Sequence, residues 1–297
     1  MTTMDPLLFG DNQFFGVNHM SEEKARAQAM RFQDLSAVID VLDIAYDEGI
    51  RTFMCTTHDR IAAVADHVRA DPGRYPDYKF FPGMPYAHKY ANAMTELGMM
   101  GAIRRFLPDG GLFDAALRGG KALAKKDIDG LVTLLVDAEM TMFRGTSTPV
   151  IFLQNVVVDL LLGLGFDEAF RIYAQHVRDA YDAEPGFITM NLPALLDALE
   201  KQGVENPVVC SNINKIGFRM CGGVDAYQDA LRNRSFRAIA MSVFASGAIP
   251  AREAVGWVCE QPNIESIVFG ASSRANIVST RDLVAEFWPE RMPPPAS

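Results

Sequence analysis

The chain is short of cysteine, histidine, positive charge and long apolar runs, and each shortage removes a class of protein. Its four cysteines, Cys55, Cys210, Cys221 and Cys259, stand singly and form no CxxC pair. That excludes a disulfide framework and a thiolate zinc ribbon, and predicts reduced core thiols in a cytoplasmic protein. Lysine and arginine number 28 against 37 aspartates and glutamates, so the net charge is −9 and nucleic acid is excluded as a partner. No segment approaches the roughly 18 to 20 uninterrupted apolar residues that cross a bilayer, so no membrane partner is expected. The start, MTTMDPLLFGDNQ, has neither the basic region nor the apolar stretch of a signal peptide. The five histidines include no HxH or HExxH pair.

What remains is ordinary globular material: 49% of the residues are hydrophobic and 22% charged, enough apolar content for a sizeable core. Short apolar runs ending in polar or glycine-rich turns recur at 7–10, 52–55, 80–84, 150–153, 187–190, 208–210, 238–243 and 264–269. Several are continuous rather than alternating, as expected of parallel strands covered on both faces. Helical spacing fills most gaps, at 35–47, at 192–202 behind the cap Asn191, and at 251–261. Strand followed by helix, repeated along the whole chain, predicts an α/β fold, a closed (β/α)8 TIM barrel, as a single domain over 1–297. The stretch 85–149 is far too long for one crossover. Its later part, 127–142, reads as the expected helix, and 90–126 as a helical lid inserted between the third and fourth strands. The basic cluster Arg118, Lys121, Lys125 and Lys126 in that insertion reads as a solvated face. DLLLGLG, at 159–165, reads as a loop leading into a helix without catalytic content.

The stretch IESIVFGASSRANI, 264–277, poses a chemical question: a buried strand ends in glycine, two serines and an arginine at a helix start. Backbone amides at a helix N-terminus carry partial positive charge. Ser272 and Ser273 can donate hydrogen bonds, and Arg274 offers a bidentate fork, so the pattern suits a phosphate. A serine cap with a surface arginine explains the same residues without a ligand.

Five passages together resemble the aldo-keto reductase superfamily: LLFGDNQFFG (7–16), EGIRTFMCTT (48–57), ITMNLPALLDALEKQGVENPVV (188–209), AIAMSVFASG (238–247) and GASSRANI (270–277). Their order and spacing agree with that family's barrel. The resemblance implies NADP as cofactor, with Asn276 and Ser242 at cofactor-contacting positions and Asn191 at the position that holds the nicotinamide amide. It does not supply the family's Asp, Tyr, Lys and His tetrad. The aspartate position falls on Met54, the tyrosine position near His58 or Asp59, no lysine ends the third strand (Lys89 comes later), and the histidine position is Gln154.

A different polar set gathers at the expected strand ends: Asp11, Asn12 and Gln13; Thr56, Thr57 and His58; Tyr86 and His88; Gln154 and Asn155; Asn191; Ser211, Asn212 and Lys215. Strands of a barrel open onto one pocket at their C-terminal ends. His58 is the natural proton carrier there, Asp11 its orienting or accepting neighbour, and Gln154 a binder of carbonyl or hydroxyl. Asn12, Thr57, Tyr86, His88, Asn155 and Asn212 are the expected substrate contacts. Tyr86 or Tyr90 replaces the missing phenol, or else anchors the lid. His19, His58 and His88 after the first three strands, with Asp11 and Asp59, would suit a metal, but on separate loops they predict none. His67 and His176 fall in helical segments.

The leading expectation is a nicotinamide-linked enzyme acting on carbonyl or alcohol groups of a polar, hydroxylated or phosphorylated small molecule. The alternatives are a non-redox lyase, isomerase or hydrolase using His58 and Asp11, with or without a metal, and a non-catalytic sensor barrel.

Overall fold

A computed structural model describes residues 3–16, 22–86 and 125–292. Eight parallel strands close into one ring in chain order: β1 (Leu7–Gly10), β2 (Thr52–Thr56), β3 (Lys79–Met84), β4 (Val150–Leu153), β5 (Glu184–Thr189), β6 (Val208–Asn212), β7 (Arg237–Met241) and β8 (Ile264–Phe269). β8 returns to β1 with Phe9 opposite Phe269, which leaves no sheet edge. Ten helices lie among the described residues: α1 (Glu22–Arg31), α2 (Leu35–Asp47), α3 (Asp59–Ala70), α4 (Lys125–Met140), α5 (Asn155–Leu164), α6 (Glu168–Tyr181), α7 (Leu192–Lys201), α8 (Gly223–Asn233), α9 (Ala251–Cys259) and α10 (Arg274–Phe287).

The side-chain period of two sorts each strand between two cores. Phe53 and Cys55, Phe80, Ile151, Phe187 and Val209 face the helices and join the large outer core. Leu8, Met54, Phe81, Phe152, Val208, Cys210 and Ile239 fill the barrel interior. Large rings inside the ring of strands need empty neighbours: a Cβ on Gly186 would lie 2.4 Å from the Phe152 ring. Above this plug Ile188, Met241 and Val268 are only partly buried and form an apolar floor toward the C-terminal mouth.

The opposite rim is tied by charge. Lys79 reaches Asp5 at 3.0 Å and Ser266 Oγ donates to the Asp5 carbonyl at 2.7 Å, while Arg237 pairs with Glu184 and with Glu265. Polar residues at the N-terminal face of a barrel hold the fold rather than the chemistry.

The differences from the sequence reading are local. β5 starts at Glu184, ahead of Phe187, because Pro185-Gly186 reads as a turn but pairs in register with Ile151 and Phe152. β7 stops at Met241 because Ser242 takes a left-handed φ of 55°. DLLLGLG is no loop: it lies in α5, which begins at Asn155 and ends at the left-handed Gly165. Most of the expected lid, with Tyr90, His88, Lys89, Arg118 and Lys121, lies outside the described residues, as does His19; Lys125 and Lys126 open α4.

Candidate active site

Because the strands are parallel and the ring is closed, everything that follows a strand end shares one rim. Over β1 to β4 that rim carries Asp11, Thr56, His58, Tyr86 and Gln154; over β5 to β8 it carries Asn191, Asn212, Ser242 and Ser272.

Asp11 leaves β1 and is buried. Its Oδ2 accepts from both the backbone N–H and the hydroxyl of Thr56, each at 2.7 Å. Burial raises its pKa from the ordinary carboxylate value, and the Thr56 hydrogen bonds offset only part of that. Asp11 therefore braces β1 against β2 through Thr56 rather than orienting His58, which differs from the expected role. Gln13, one turn on, donates to the Gly10 carbonyl at 2.8 Å; its buried Oε1 has no partner among the described residues and lies against Gly270.

His58 caps α3. Its Nδ1 accepts the Arg60 backbone N–H at 3.0 Å, so the neutral ring carries its proton on Nε2. The imidazole sits between two aromatic rings, Phe15 at 4.6 Å and Tyr86 edge-on at 5.5 Å. The Tyr86 phenol is half-buried, and its pKa is raised first by burial and then by the Asp11 charge. The phenol thus lies within the field of Asp11 and against the His58 ring.

Thr57 is not open to a ligand. It is fully buried, and its hydroxyl donates to Glu139, which also accepts the backbone N–H of Tyr86 at 3.1 Å. Glu139 was missed because it lies near the end of the crossover helix α4 rather than at a strand end. The signal was present: it falls on the buried stripe of Val132, Val136 and Met140, a carboxylate where helical spacing calls for an apolar residue. Gln154, half-buried after β4, donates its backbone N–H to the Met84 carbonyl at 2.8 Å, and Asn155 opens α5.

On the far half of the rim the structure uses several expected ligand groups internally. Asn191 caps α7 through Oδ1, which accepts the Ala194 N–H at 3.4 Å, and leaves its Nδ2 donors available among the described residues. Asn212 is buried and donates to the Arg219 carbonyl at 3.0 Å. Asn214, also missed, pins the same loop by exchanging hydrogen bonds with the Phe218 backbone at 2.8 and 2.9 Å. Ser242, Ala245 and Ser246 all hold positive φ, 55°, 46° and 59°, a strained stretch after β7 of the kind that collects at functional sites.

The turn after β8 combines the two readings of SSRAN. Ser273 caps α10, its Oγ accepting the Asn276 N–H at 3.4 Å, and Asn276 is exposed. Arg274 does not overhang the rim: it pairs with Glu48 beside Arg281, so its fork is occupied by a carboxylate. Ser272 is half-buried, and Gly270 beside it has no room for a side chain, since a Cβ would lie 2.2 Å from Gln13 Oε1. No group of three or more His, Cys, Asp or Glu among the described residues is placed to hold a metal. No helix among them is long and apolar enough to cross a membrane.

No family model and no curated protein matches the chain. Solved structures do match in fold. PA4992 of Pseudomonas aeruginosa, assigned to the aldo-keto reductases, superposes with a TM-score of 0.60 at 14% identity over 95% of this chain and 90% of its own. The thermostable aldo-keto reductase Tm1743, solved with the inhibitor epalrestat, gives 0.56 at 12% identity over 97% and 94%. A variant of Gox0644 in complex with NADPH gives 0.51 at 10% identity over 87% and 84%. The chain thus has an aldo-keto-reductase-like barrel at low sequence identity, and fold alone does not carry a reaction.

Proposed function

We propose that this protein is an oxidoreductase that binds NADP(H) at the β5–β8 half of the rim and works on a carbonyl or alcohol group of a small polar molecule held over Met241 and Val268. The observation that carries this reading is the Tyr86 phenol set against His58 in the field of Asp11, above the partly buried Ile188, Met241 and Val268.

A phosphate-bearing cofactor fits the residues present. Ser272, Ser273 and the first amides of α10 form a donor set for its phosphate. Asn191 Nδ2 is a donor for a carboxamide. Such a cofactor would supply or accept hydride. The protein's own part is proton handling. Burial and the Asp11 charge raise the Tyr86 pKa, so the phenol rests protonated and presents an O–H to a carbonyl oxygen rather than acting as a resting base. His58, with its proton on Nε2, is a second N–H donor beside the Tyr86 ring. Gln154, uncharged and one strand further on, is suited to a substrate hydroxyl. Asp11 is bonded to Thr56 and not to His58, which weighs against the Asp–His hydrolytic pair.

Titration of the protein with NADPH and NADP by cofactor fluorescence and calorimetry tests the cofactor half. With a turned-over aldehyde or sugar substrate, Tyr86→Phe should lose about 10²- to 10⁴-fold in kcat while cofactor affinity holds. Absence of binding to either nucleotide would remove the redox reading altogether.

A further inference from the structure

Burying a carboxylate is costly, and the place where Glu139 sits would be filled more cheaply by an apolar side chain continuing the Val132, Val136 and Met140 stripe. What the carboxylate does there is specific. It is 2% exposed, accepts the hydroxyl of fully buried Thr57 on Oε2, and accepts the Tyr86 backbone N–H at 3.1 Å on Oε2 and 3.4 Å on Oε1. These donors belong to different strand ends. Thr57 immediately precedes His58 after β2, whereas Tyr86 follows Pro85 after β3. One side chain on α4 therefore joins the two backbone segments whose rings meet at 5.5 Å. A bond to the Tyr86 peptide fixes the point from which the phenol is aimed.

We propose that Glu139 is a positioning residue: it holds Tyr86 and the Thr57-His58 turn in one register, so that the phenol faces the mouth beside His58 and Asp11. The assignment rests on reading Tyr86 as the proton donor. Glu139 acts through Thr57 and the Tyr86 peptide and is not itself catalytic.

The test compares Glu139→Met, Glu139→Gln and Thr57→Val in the full chain. The Tyr86 phenol is titrated by NMR with ring-labelled tyrosine, its resonance identified by its loss in Tyr86→Phe; thermal unfolding and steady-state kinetics are measured alongside. Glu139→Gln keeps one oxygen, which in the Oε2 place accepts both the Thr57 hydroxyl and the Tyr86 N–H, so its Tyr86 midpoint should match wild type. In Glu139→Met the ring leaves its half-buried place, the midpoint should fall toward that of ordinary tyrosine, and kcat should drop about 10- to 100-fold with KM changed less than about threefold. Thr57→Val should shift the midpoint in the same direction by less, which keeps the test open if Glu139→Met does not fold. A lowered melting temperature with an unmoved Tyr86 titration in Glu139→Met, or in Thr57→Val where Glu139→Met fails to fold, would overturn the positioning role. A shifted titration with NADPH-linked turnover intact would support the positioning and overturn the choice of Tyr86 as proton donor, so the two failures are distinguishable.

Discussion

Replacing Gly186 by alanine puts the interior packing of the barrel to a direct test. The new Cβ would lie 2.4, 2.5 and 2.8 Å from three atoms of the Phe152 ring, against an ordinary carbon contact of roughly 3.5–4.0 Å. The ring has nowhere to go: Phe152 is fully buried, lies opposite Gly186 in register and packs 6.0 Å from the Phe81 ring. Overpacking of this kind costs about 1–3 kcal/mol, and so close an approach belongs at the upper end. Alanine recovers about 0.5–1 kcal/mol of backbone entropy relative to glycine in a strand, so the net loss should be about 2 kcal/mol. Phe152→Leu alone opens a cavity and is also destabilising. Combined, the added methyl occupies part of the vacated ring space, and the double variant should be more stable than the sum of the singles by about 1–3 kcal/mol. Urea unfolding of the four proteins measures this cycle. Additivity within about 0.5 kcal/mol would mean that the two side chains do not meet and that the inward faces of β4 and β5 are misassigned.

Two further outcomes follow from charge. Asp11 has a folded pKa raised above its ordinary 3.8 by burial, so the stability tied to its protonated form is complete below that value and is lost as pH rises through the folded value. The melting temperature of Asp11→Asn relative to wild type should therefore rise from acid toward neutral pH; a difference that stays flat or falls with pH would contradict this. Arg237, 7% exposed, pairs with both Glu184 and Glu265 at the N-terminal rim, and Arg237→Met should cost about 2 kcal/mol, below the usual figure for a fully buried pair because both glutamates are partly exposed. Since that rim lies across the barrel from the candidate site, calorimetry should find nucleotide affinity unchanged in the same variant.

The strands were legible in the sequence because parallel strands covered on both faces must be continuously apolar, and Leu7–Gly10, Val150–Leu153 and Ile264–Phe269 were read to the residue for that reason. The cap at Asn191 was legible too, since a side-chain oxygen ahead of a helix has a local purpose. The site was legible only as a roster of strand-end polar residues. Which of them face a ligand depends on partners far along the chain. Thr57 is consumed by Glu139, Asn212 by Arg219 and Arg274 by Glu48, and no local pattern announces these pairings.

By itself, then, the sequence determined the alternation of strand and helix, because the periods of apolar residues are local and fix which face of each element must be buried. Only the closed ring decided that Tyr86 stands beside Asp11 and His58, and that a carboxylate from α4 reaches the segments of Tyr86 and His58. Those contacts join residues tens of positions apart, and their geometry exists only once the strands are in register.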